Sequence, residues 1–510
     1  MYNQSNRVIV VLFALICLAE IPAAASVSGW HQFQKDSLNV GTTSDAAPGS
    51  DPVLLWGMQT GAINVPPLVA GDLVYVYDAN GTIWAFDRRC GSMVWRNETS
   101  PWFIQSSTPA YGDDMIFAAE RDGDLHAFDA ATGECLWKVH ATDHALACPV
   151  TYRDHRIYIG ESYCKAPARY FCYDENGTLV WSSFTEAAGA FEWCGACVVD
   201  QYLIYPTSSG NLVSLFRENG TIRDIINLAD DQNISFTRSD VGRIRASVSH
   251  HRGYLYVASE YSQERGYIWK IGLDCGRFID SGWSTEIGFS TSTPVVHGGR
   301  VYVGVGEHGC SGNLVCLNDS TGDLLWSYPV PAGVKSSPVL SISDSDSDCG
   351  DNSGNSSGNS SGNGGDDSGD SSSGDGGDVH IYFTTATANG SLYCLRDCGA
   401  SAELAWTYNP PDSGYILQGA AISDGRIYFG TGGGYVYCIG RRGDLNYDGE
   451  ISAVDALIAL RIAAGSESSE PGADVDCDCR VTSVDALIMM RVAAVTTQHA
   501  TTFMKNGEVK

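Results

Sequence analysis

The sequence has few basic residues for its length: 31 Lys and Arg stand against 60 Asp and Glu, which gives a formal net charge of −29. So negative a chain repels other polyanions, which argues against nucleic acid and anionic membrane surfaces as partners. Beyond its first residues the sequence has no apolar run long enough to cross a bilayer. It also lacks HExxH, a P-loop and paired CxxC motifs at zinc spacing. The acidity suits calcium binding, solubility in salt, or both.

The first residues predict export. Arg7 precedes an apolar run over 8–19, and small residues follow at 22–26. This succession of a positive, an apolar and a small-residue segment is typical of a secretory signal peptide. We expect residues 1–25 to be removed and the rest of the chain to be secreted or extracellular, with attachment to the cell surface left open. An uncleaved membrane anchor is the alternative.

Cysteine usage in an exported chain predicts disulfides. Of the 17 cysteines, Cys17 lies in the expected signal peptide, which leaves an even number. In an oxidising compartment, neighbouring cysteines are candidates for structural bridges, although spacing does not fix their connectivity. The candidate pairs are Cys164/Cys172, Cys310/Cys316 and Cys394/Cys398. For the CxxC pair Cys194 and Cys197 we favour a structural bridge over a redox centre.

One repeated unit organises most of the chain. Residues 127–137 read AFDAATGECLW, and looser copies begin at Ala85, Cys172 and Cys316. A second alternating strand precedes each copy, as in LVYVY from Leu73. Short alternating runs of this kind, joined by Asn-Gly, Asp-Gly and Thr-Gly turns, predict small antiparallel sheets. Tryptophans recur with a step of roughly 40 residues, within the period range of propeller blades. They are Trp56, Trp95, Trp137, Trp181, Trp283, Trp326 and Trp406.

These sheets predict an all-β propeller over residues 26–440, because radial packing buries both faces of every blade. Each tryptophan is expected to pack on the neighbouring blade and to have no catalytic role. The last unit begins near Ser423 and stops near Gly440 without a closing Trp. The strand that ends at Trp56 is therefore expected to complete it, so that the two ends of the propeller share one blade. This count favours eight blades, and seven stays open because the fourth unit, ending near Ile225, has no Trp.

Two polar features lie within the repeats. Residues 341–378 are almost entirely Ser, Gly, Asp and Asn, and we interpret them as a disordered insertion within one blade, since they have no apolar content to fold around. Asn80, Asn176, Asn219 and Asn389 each begin an Asn-Gly-Thr or Asn-Gly-Ser sequence. Such sequences are both glycosylation sequons and favoured hairpin turns, and both interpretations stay open.

The composition changes at Arg441, where a twofold acidic repeat begins. The first loop runs from Asp444 to Asp455 and the second from Asp474 to Asp485, each with oxygen-bearing side chains at positions 1, 3, 5 and 12. Calcium prefers this many oxygen ligands, and each loop continues into a segment with apolar residues at helical spacing. The sequence therefore predicts a small α-helical C-terminal domain with two EF-hand-like loops and two calcium ions.

This repeat resembles a type I dockerin domain, which we place at 441–496 with a C-terminal tail at 497–510. The resemblance implies one ion held by Asp444, Asn446, Asp448, the Glu450 carbonyl and Asp455. It implies a second held by Asp474, Asp476, Asp478, the Arg480 carbonyl and Asp485. Cys479 stands where the family prefers Gly, and a left-handed backbone there would cost about 1 kcal/mol or more. Bonds from Cys477 or Cys479 to other cysteines are a further alternative for that loop.

The dockerin resemblance also implies a partner protein that carries a cohesin domain. By this resemblance, the contacting residues are those at loop positions 10 and 11 and on the following helix. They are Ala453, Val454 and Arg461 in the first half, and Ser483, Val484 and Arg491 in the second. The near-symmetry indicates that either half could face the partner. The alternative for the two arginines is interaction with helix ends.

The propeller unit resembles the repeat of pyrroloquinoline-quinone (PQQ) enzymes and of related propellers without activity. The dehydrogenases of that family have two adjacent cysteines near the cofactor, and no two cysteines are adjacent here; we therefore expect no PQQ. Propeller ligands sit at the axial mouth, where we expect a ring of mixed charge that could hold a sugar or a peptide. Ordinary solvated loops are the alternative. The candidate rim residues are Asn64, Gln105, His144, Glu192, Arg243, Arg245, Lys335 and Gln418.

These observations leave three hypotheses for the function. The favoured one is a secreted binding or scaffold propeller that docks through its calcium-binding module onto a cohesin-bearing partner, with no catalytic residues. The second is a dockerin-borne enzyme that acts on polysaccharide. The third is a PQQ-dependent dehydrogenase.

Overall fold

A computed structural model describes residues 29–50, 52–99, 107–162, 168–184, 190–262, 264–343, 378–446, 448, 451–467, 470–476 and 480–506. Its strands form eight sheets arranged as blades, and each blade has four strands from the chain's repeats, so the prediction of eight blades is confirmed. Blade 7 has one additional strand from the N-terminal segment. The expected signal peptide lies outside the described residues.

The first four blades follow each other in chain order. A short strand β1 (Thr42–Thr43) and a longer strand β2 (Pro52–Gln59) precede them. Blade 1 comprises β3 (Leu68–Ala70), β4 (Leu73–Tyr77), β5 (Thr82–Asp87) and β6 (Met93–Glu98). Blade 2 comprises β7 (Ala110–Gly112), β8 (Met115–Ala119), β9 (Asp124–Asp129) and β10 (Cys135–His140). Blade 3 comprises β11 (Thr151–Arg153), β12 (Arg156–Gly160), β13 (Arg169–Asp174) and β14 (Leu179–Phe184). Blade 4 comprises β15 (Cys197–Val199), β16 (Tyr202–Pro206), β17 (Asn211–Phe216) and β18 (Ile222–Asn227).

The remaining blades and the helices complete the chain. Blade 5 comprises β19 (Ser249–His251), β20 (Tyr254–Ala258), β21 (Tyr267–Asp274) and β22 (Arg277–Glu286). Blade 6 comprises β23 (Val295–His297), β24 (Arg300–Val305), β25 (Gly312–Asn318) and β26 (Leu324–Val330). Blade 7 comprises β27 (Val339–Ser343), β28 (Asp378–Thr384), β29 (Leu392–Asp397) and β30 (Ala402–Tyr408), with β1 paired parallel to β27. Blade 8 comprises β31 (Ala421–Ser423), β32 (Arg426–Gly430) and β33 (Tyr435–Arg441), together with β2. Two helices follow, α1 (Ala453–Ala463) and α2 (Ser483–Asn506), with a 3₁₀ turn at Pro471–Ala473 between them.

Strand β2 closes the ring. It pairs antiparallel with β33 from Pro52 opposite Arg441 to Gln59 opposite Tyr435. The N-terminal and C-terminal ends of the repeat array are thereby joined in one sheet, as the truncated last unit predicts. A propeller closed in this way has no blade with an unpaired flank, because every sheet meets a neighbour on both sides.

Each closing tryptophan clamps its blade to the next one. The indole of Trp95 in blade 1 donates from Nε1 to the carbonyl oxygen of Ala130 in blade 2 at 2.9 Å. The ring of Trp95 also covers Gly133, where an added Cβ would lie 2.5 Å from it. Gly133 has φ +73°, a conformation that favours glycine. The Thr-Gly turn and the tryptophan of the repeat are therefore two halves of one contact between adjacent blades.

A similar contact recurs around the ring, with three exceptions: Trp326 donates to the Asp397 carboxylate at 3.2 Å, Trp406 donates to the Pro48 carbonyl ahead of β2 at 2.8 Å, and blade 4 has no tryptophan. Trp137 donates to the carbonyl of Glu175 at 2.8 Å and Trp181 to that of Arg217 at 2.8 Å, each in the following blade. Blade 4, which lacks a tryptophan, uses Tyr202 of β16, whose ring covers Gly276 of blade 5. An aromatic ring from a different strand thus takes the place of the missing tryptophan in the contact between blades 4 and 5.

The polar insertion lies within blade 7. Strands β27 and β28 pair antiparallel with Ser343 opposite Asp378, so the insertion joins two strands of one hairpin, as predicted. Its boundaries are narrower than the predicted 341–378, because both flanks have structural partners. The Ser341 hydroxyl donates to the Asp45 carbonyl at 2.6 Å, and Asp378 pairs with Arg396 at 2.8 Å. The expected disorder concerns residues 344–377, which lie outside the described part.

The N-terminal segment before β2 crosses the axial channel, which the sequence did not predict. Residues 30–41 exchange backbone hydrogen bonds with innermost strands of blades 1, 2, 4, 5 and 7, and the Gln32 side chain bonds to blade 3. The blade residues involved are Val69, Tyr111, Tyr152, Val198, His250 and Leu340. Trp30 is fully buried and Phe33 nearly so. We call residues 30–41 the axial segment; it closes one end of the channel.

The predicted disulfides are not formed among the described cysteines. Cys310, Cys316 and Cys394 are free thiols, as are Cys194 and Cys197, so Cys394 is not bonded to Cys398; Cys164 lies outside the described residues. The register explains this. Three of the candidates occupy one repeated position of the third strand, opposite the clamping tryptophan: Cys172 lies opposite Trp181, Cys316 opposite Trp326 and Cys394 opposite Trp406. Ala85 and Ala127 fill that position in blades 1 and 2. The space demands a small side chain, and cysteine serves as one.

The two helices form a small core of their own, and the 3₁₀ turn between them contacts the propeller strand β2. Leu445, Ala456, Ala459, Ala486 and Met489 pack together in that core. Helix α2 continues to Asn506, through most of the residues expected to form a tail. No helix within the described residues is long and apolar enough to span a membrane.

Candidate functional site

A cavity of about 680 Å³, counted out to its open mouth, lies on the propeller axis. Its walls come from the loops that precede the innermost strands of blades 1, 4, 5, 6, 7 and 8. Phe33 of the axial segment completes the lining. The axial segment therefore turns an open channel into a blind cavity, which is the shape of a ligand pocket.

The cavity wall combines an indole with two cations. The Arg245 guanidinium lies 4.8 Å from the ring centroid of Trp193, and the Lys335 ammonium lies 5.7 Å from the same centroid. Arg245 pairs with Glu260 at 3.0 Å and with Glu192 at 3.3 Å. Trp193 has φ +66°, which is rare for a bulky residue and strains the backbone.

Burial shifts the ionisation of the charged groups here. Desolvation lowers the pKa of the Lys335 ammonium, and the nearby Glu260 opposes that shift. Desolvation likewise raises the pKa of Glu260 against the attraction of Arg245 and Lys335. Both shifts have the same cause: charges on the cavity wall have left bulk water without complete replacement of their solvation. The wall is therefore prepared to accept polar contacts from a ligand.

Four of the eight predicted rim residues line the cavity: Asn64, Arg245, Lys335 and Gln418. Glu192 lies at its edge as a partner of Arg245. His144 and Arg243 are exposed and are not among the residues that line the cavity. The Arg243 backbone pairs with that of Glu260 through an isolated antiparallel bridge. Gln105 lies outside the described residues.

The sequence missed the other lining residues, above all Trp193, Thr291, His308 and Phe33. A periodic signal could have found two of these. Most wall residues lie four positions before the first residue of an innermost strand, as Asn64 does before Leu68 and Arg245 before Ser249. Trp193 and Thr291 stand at the same offset in their blades. Phe33 and His308 follow no repeat position and required the tertiary structure.

The first acidic loop converges on a buried carboxylate. Asp455 is fully buried and accepts hydrogen bonds from the backbone N–H of Leu445 at 2.7 Å, Asn446 at 3.0 Å and Ser452 at 2.7 Å. Asp444 is buried beside it, and Asn446 donates from Nδ2 to Asp448 at 2.7 Å. Glu450 lies outside the described residues. These hydrogen bonds fix the Asp455 carboxylate within the loop.

The second loop repeats this arrangement. Asp485 is fully buried and accepts from the backbone N–H of Val475 and of Thr482, each at 2.8 Å. Ligand atoms of Asp474, Asp476 and Asp485 lie within 4.8 Å of one another, close enough to share one ion. Three carboxylates at such a distance fit a calcium ion. Asp478 and Cys479 lie outside the described residues, and Arg480 is exposed.

The two helices that follow the loops present equivalent faces. Residues 451–460 and 481–490 have the same succession of buried and exposed side chains. Val454 and Leu457 on α1 are 52% and 49% exposed, and Val484 and Leu487 on α2 are 51% and 52% exposed. The predicted contact residues Ala453, Ser483 and Arg491 are exposed on these same two helices, and Arg461 is exposed but pairs with Glu467 at 3.2 Å. Each half therefore offers an apolar patch to a partner.

Two family models match the sequence. The model described as outer membrane protein assembly factor BamB matches residues 42–110, 91–305 and 268–343, which together run over more than half of the chain. The model of the dockerin type I domain matches residues 442–492, where the repeated loops and helices lie. No curated protein sequence matches the chain.

Solved structures with the same fold have low sequence identity. BamB from Moraxella catarrhalis is 16% identical with a TM-score of 0.56, over 76% of this chain and 100% of that one. Quinohemoprotein alcohol dehydrogenase from Comamonas testosteroni is 13% identical with a TM-score of 0.59, over 82% of this chain and 81% of that one. A europium-containing methanol dehydrogenase is 14% identical with a TM-score of 0.56, over 84% of this chain and 100% of that one. Likeness at such identities concerns the fold alone.

Proposed function

Because the chain belongs to the propeller family described as outer membrane protein assembly factor BamB and carries a dockerin type I domain, we propose that it is a secreted, non-enzymatic binding or scaffold protein. Its dockerin domain attaches it, with calcium bound, to a cohesin-bearing partner outside the cell or on its surface. The propeller holds a polar ligand in its axial cavity.

The observation that carries this proposal is the pair of equivalent exposed helix faces in the dockerin region. Val454 and Leu457 on one helix, and Val484 and Leu487 on the other, leave apolar side chains in water at a cost that a partner would remove. A dockerin domain implies a cohesin-type partner, and the two faces give that partner two equivalent places to bind.

Calcium ions would be held by the two acidic loops. The proposed ligands are the residues that the resemblance to dockerin domains implies. Those of them that the structure describes lie on the two loops that contain Asp455 and Asp485. Bound calcium would offset the repulsion among the carboxylates of each loop and fix the start of the following helix. Removal of calcium is therefore expected to loosen both helix faces and to release the partner.

The axial cavity does not fit PQQ, the cofactor that the fold of quinoprotein dehydrogenases implies. PQQ carries three carboxylates and would need uncompensated cations. Arg245 already pairs with Glu260 and Glu192, and Glu307 adds a further carboxylate close to Lys335. A tricarboxylate placed there would meet like charges in a desolvated site, which is unfavourable.

The test is a capture experiment with the chain from residue 26 onward as bait and the extracellular and surface proteins of the source organism as prey. In calcium, the bait is expected to retain a protein that mass spectrometry identifies as carrying a cohesin domain. With chelator, the same protein is expected to be lost. Because the two faces are equivalent, Val454→Asp with Leu457→Asp, or Val484→Asp with Leu487→Asp, should each leave capture in place, and the four substitutions together should abolish it.

The matched control is Leu324→Asp with Leu404→Asp, which places the same charges on exposed apolar residues of outer propeller strands. This variant should capture the partner as the unchanged chain does. Capture that persists in chelator, or that the control abolishes equally, would argue against docking through the dockerin faces.

A further inference from the structure

The polar groups on the wall of the axial cavity are unusually short of partners. Within the described part of the chain, the side-chain amides of Asn64 and Gln418 and the Lys335 ammonium have no hydrogen-bond partner, although all three are half-buried. In the charged cluster behind them, Arg245 Nε, one carboxylate oxygen of Glu260 and one of Glu307 are buried and also without a hydrogen bond. Glu260 is only 9% exposed.

Such groups are costly to leave unsatisfied. A fully buried polar atom without a partner is unfavourable, and native proteins contain few of them. Asn64, Gln418 and Lys335 are only half-buried, so a ligand that enters the cavity can reach them and replace the water around them. The strained Trp193, at φ +66°, supports this, because strain of that kind concentrates at ligand sites.

The chemistry of the wall restricts what can enter. The cations Arg245 and Lys335 face the carboxylates Glu192, Glu260 and Glu307, so the wall has no excess of positive charge with which to hold an anion. The chain as a whole carries a net charge of −29, which repels anions further. A ligand that brings a full charge would therefore lose more solvation than the wall replaces.

The side chains that face the cavity favour a ligand with hydroxyl groups. Each amide, Asn64 and Gln418, offers donors and an acceptor, and Lys335 offers donors only. Hydroxyl groups both donate and accept, and can therefore satisfy all three. Trp193 and Phe33 add apolar surface on which C–H groups can pack, since the face of an aromatic ring is negative and C–H hydrogens are slightly positive.

We propose that the axial cavity is a saccharide site that takes a neutral sugar unit, with its hydroxyl groups bonded to Asn64, Gln418 and Lys335 and its C–H groups packed against Trp193. The cavity is open at its mouth, and these side chains line it. Because its floor is closed by Phe33, the sugar enters from the mouth only, and a longer glycan binds by an end or a side branch. This inference deepens the proposed binding role and rests on it.

The experiment is a glycan array probed with the chain from residue 26 onward, with neutral, uronate-containing and sulfated oligosaccharides beside short peptides. Calorimetry on the full chain then follows with the neutral glycan that binds best. We expect binding to neutral glycans, and the loss of one buried contact of about 1.4 kcal/mol weakens affinity ten-fold. Trp193→Ala, Asn64→Ala and Gln418→Ala should each reach about that ten-fold loss.

His144→Ala is the matched control, because His144 is an exposed loop residue on the same rim that is not part of the lining. It should bind as the unchanged chain does. Trp193→Phe keeps an aromatic ring and should retain most of the affinity, which separates loss of the contact from loss of the fold. The proposal is overturned by full binding in Trp193→Ala, by a preference for uronates, sulfates or peptides, or by a folded chain that binds no glycan.

Glycan binding should be the same in calcium and in chelator, since the acidic loops lie outside the cavity. The two proposals therefore fail separately. A chain that binds glycan but captures no cohesin-bearing protein contradicts the docking role alone. A chain that captures its partner but binds no neutral glycan contradicts the saccharide site alone.

Discussion

At the scale of single residues, the repeat is explained by one contact between blades. A tryptophan from the outer strand of one blade lies on a glycine in the turn of the next, and its indole N–H reaches a carbonyl there. Trp95 and Gly133 form such a pair, as do Trp181 and Gly220. The glycine is needed twice, since its φ is positive and since any side chain would enter the space of the ring.

This double requirement predicts the effect of two glycine substitutions. Gly133→Ala should destabilise the chain by about 2–4 kcal/mol, because it adds backbone strain and displaces the Trp95 ring. Gly299→Ala should cost only the strain, about 1–2 kcal/mol. Gly299 has nearly the same φ, +72° against +73°, and no atom lies within 4 Å of its added Cβ. Urea unfolding followed by tryptophan fluorescence measures the difference; equal losses would show that the tryptophan contact contributes nothing.

At the scale of elements, the axial segment is the piece that joins the blades from inside. Asn39 is buried, and its side-chain amide donates to the carbonyls of Ala196 at 3.1 Å and of Val248 at 2.7 Å, which precede the innermost strands of blades 4 and 5. Gln34 donates to the carbonyl of Pro338 at 3.0 Å, in front of blade 7. One short segment therefore satisfies carbonyls of blades on opposite sides of the channel, and it supplies the cavity floor through Phe33.

Substitutions at Asn39 separate its side-chain bonds from its backbone conformation. Asn39→Gly tolerates the observed φ of +55° but leaves two buried carbonyls without donors, and should lose about 1–3 kcal/mol. Asn39→Ala adds strain from the left-handed backbone and should lose about 1 kcal/mol more. Denaturant unfolding of both variants checks this order. If Asn39→Gly is as stable as the unchanged chain, the axial segment does not hold the blades together through this residue.

At the scale of the whole molecule, the dockerin region packs on its own propeller. The guanidinium of Arg426 in blade 8 pairs with Glu470, which lies just before the 3₁₀ turn between the two dockerin helices, and both residues are buried. The same arginine donates from Nη1 to the carbonyl of Arg88 in blade 1 at 2.5 Å. One side chain thus contacts the closing blade, the first blade and the dockerin region.

This pair predicts thermodynamic coupling between the two regions. Arg426→Met and Glu470→Gln should each destabilise the full chain by about 3–5 kcal/mol, because each leaves a buried group without its charged partner. The double variant should lose about 1–3 kcal/mol less than the sum. The free energies of unfolding of the unchanged chain, the two single variants and the double variant, measured in saturating calcium, give the coupling energy between Arg426 and Glu470. Strict additivity would mean that the dockerin region and the propeller are energetically independent.

The sequence by itself determined the repeat, the shared closing blade, the eight-blade count that it favoured, and the twofold loop and helix pattern of the dockerin region. Each of these features depends on a local sequence pattern. The patterns are alternation with period two, turn residues at fixed places, and ligand residues at fixed spacing. Half of the candidate rim lines the cavity as well: Asn64, Arg245 and Lys335 stand four positions before an innermost strand, and Gln418 stands three positions before one.

Only the tertiary structure decided the rest, because the deciding contacts join residues far apart in the chain. The axial segment reaches blade 7 through a hydrogen bond from the Gln34 side chain to the Pro338 carbonyl. These residues are 304 positions apart, and no local sequence pattern predicts that they meet. Cys172, Cys316 and Cys394 were candidates for disulfides, and only the strand register shows that each is a small packing residue opposite a clamping tryptophan. The cavity also needed the fold, since Phe33 and His308 follow no repeat and meet the wall residues only when the ring is closed.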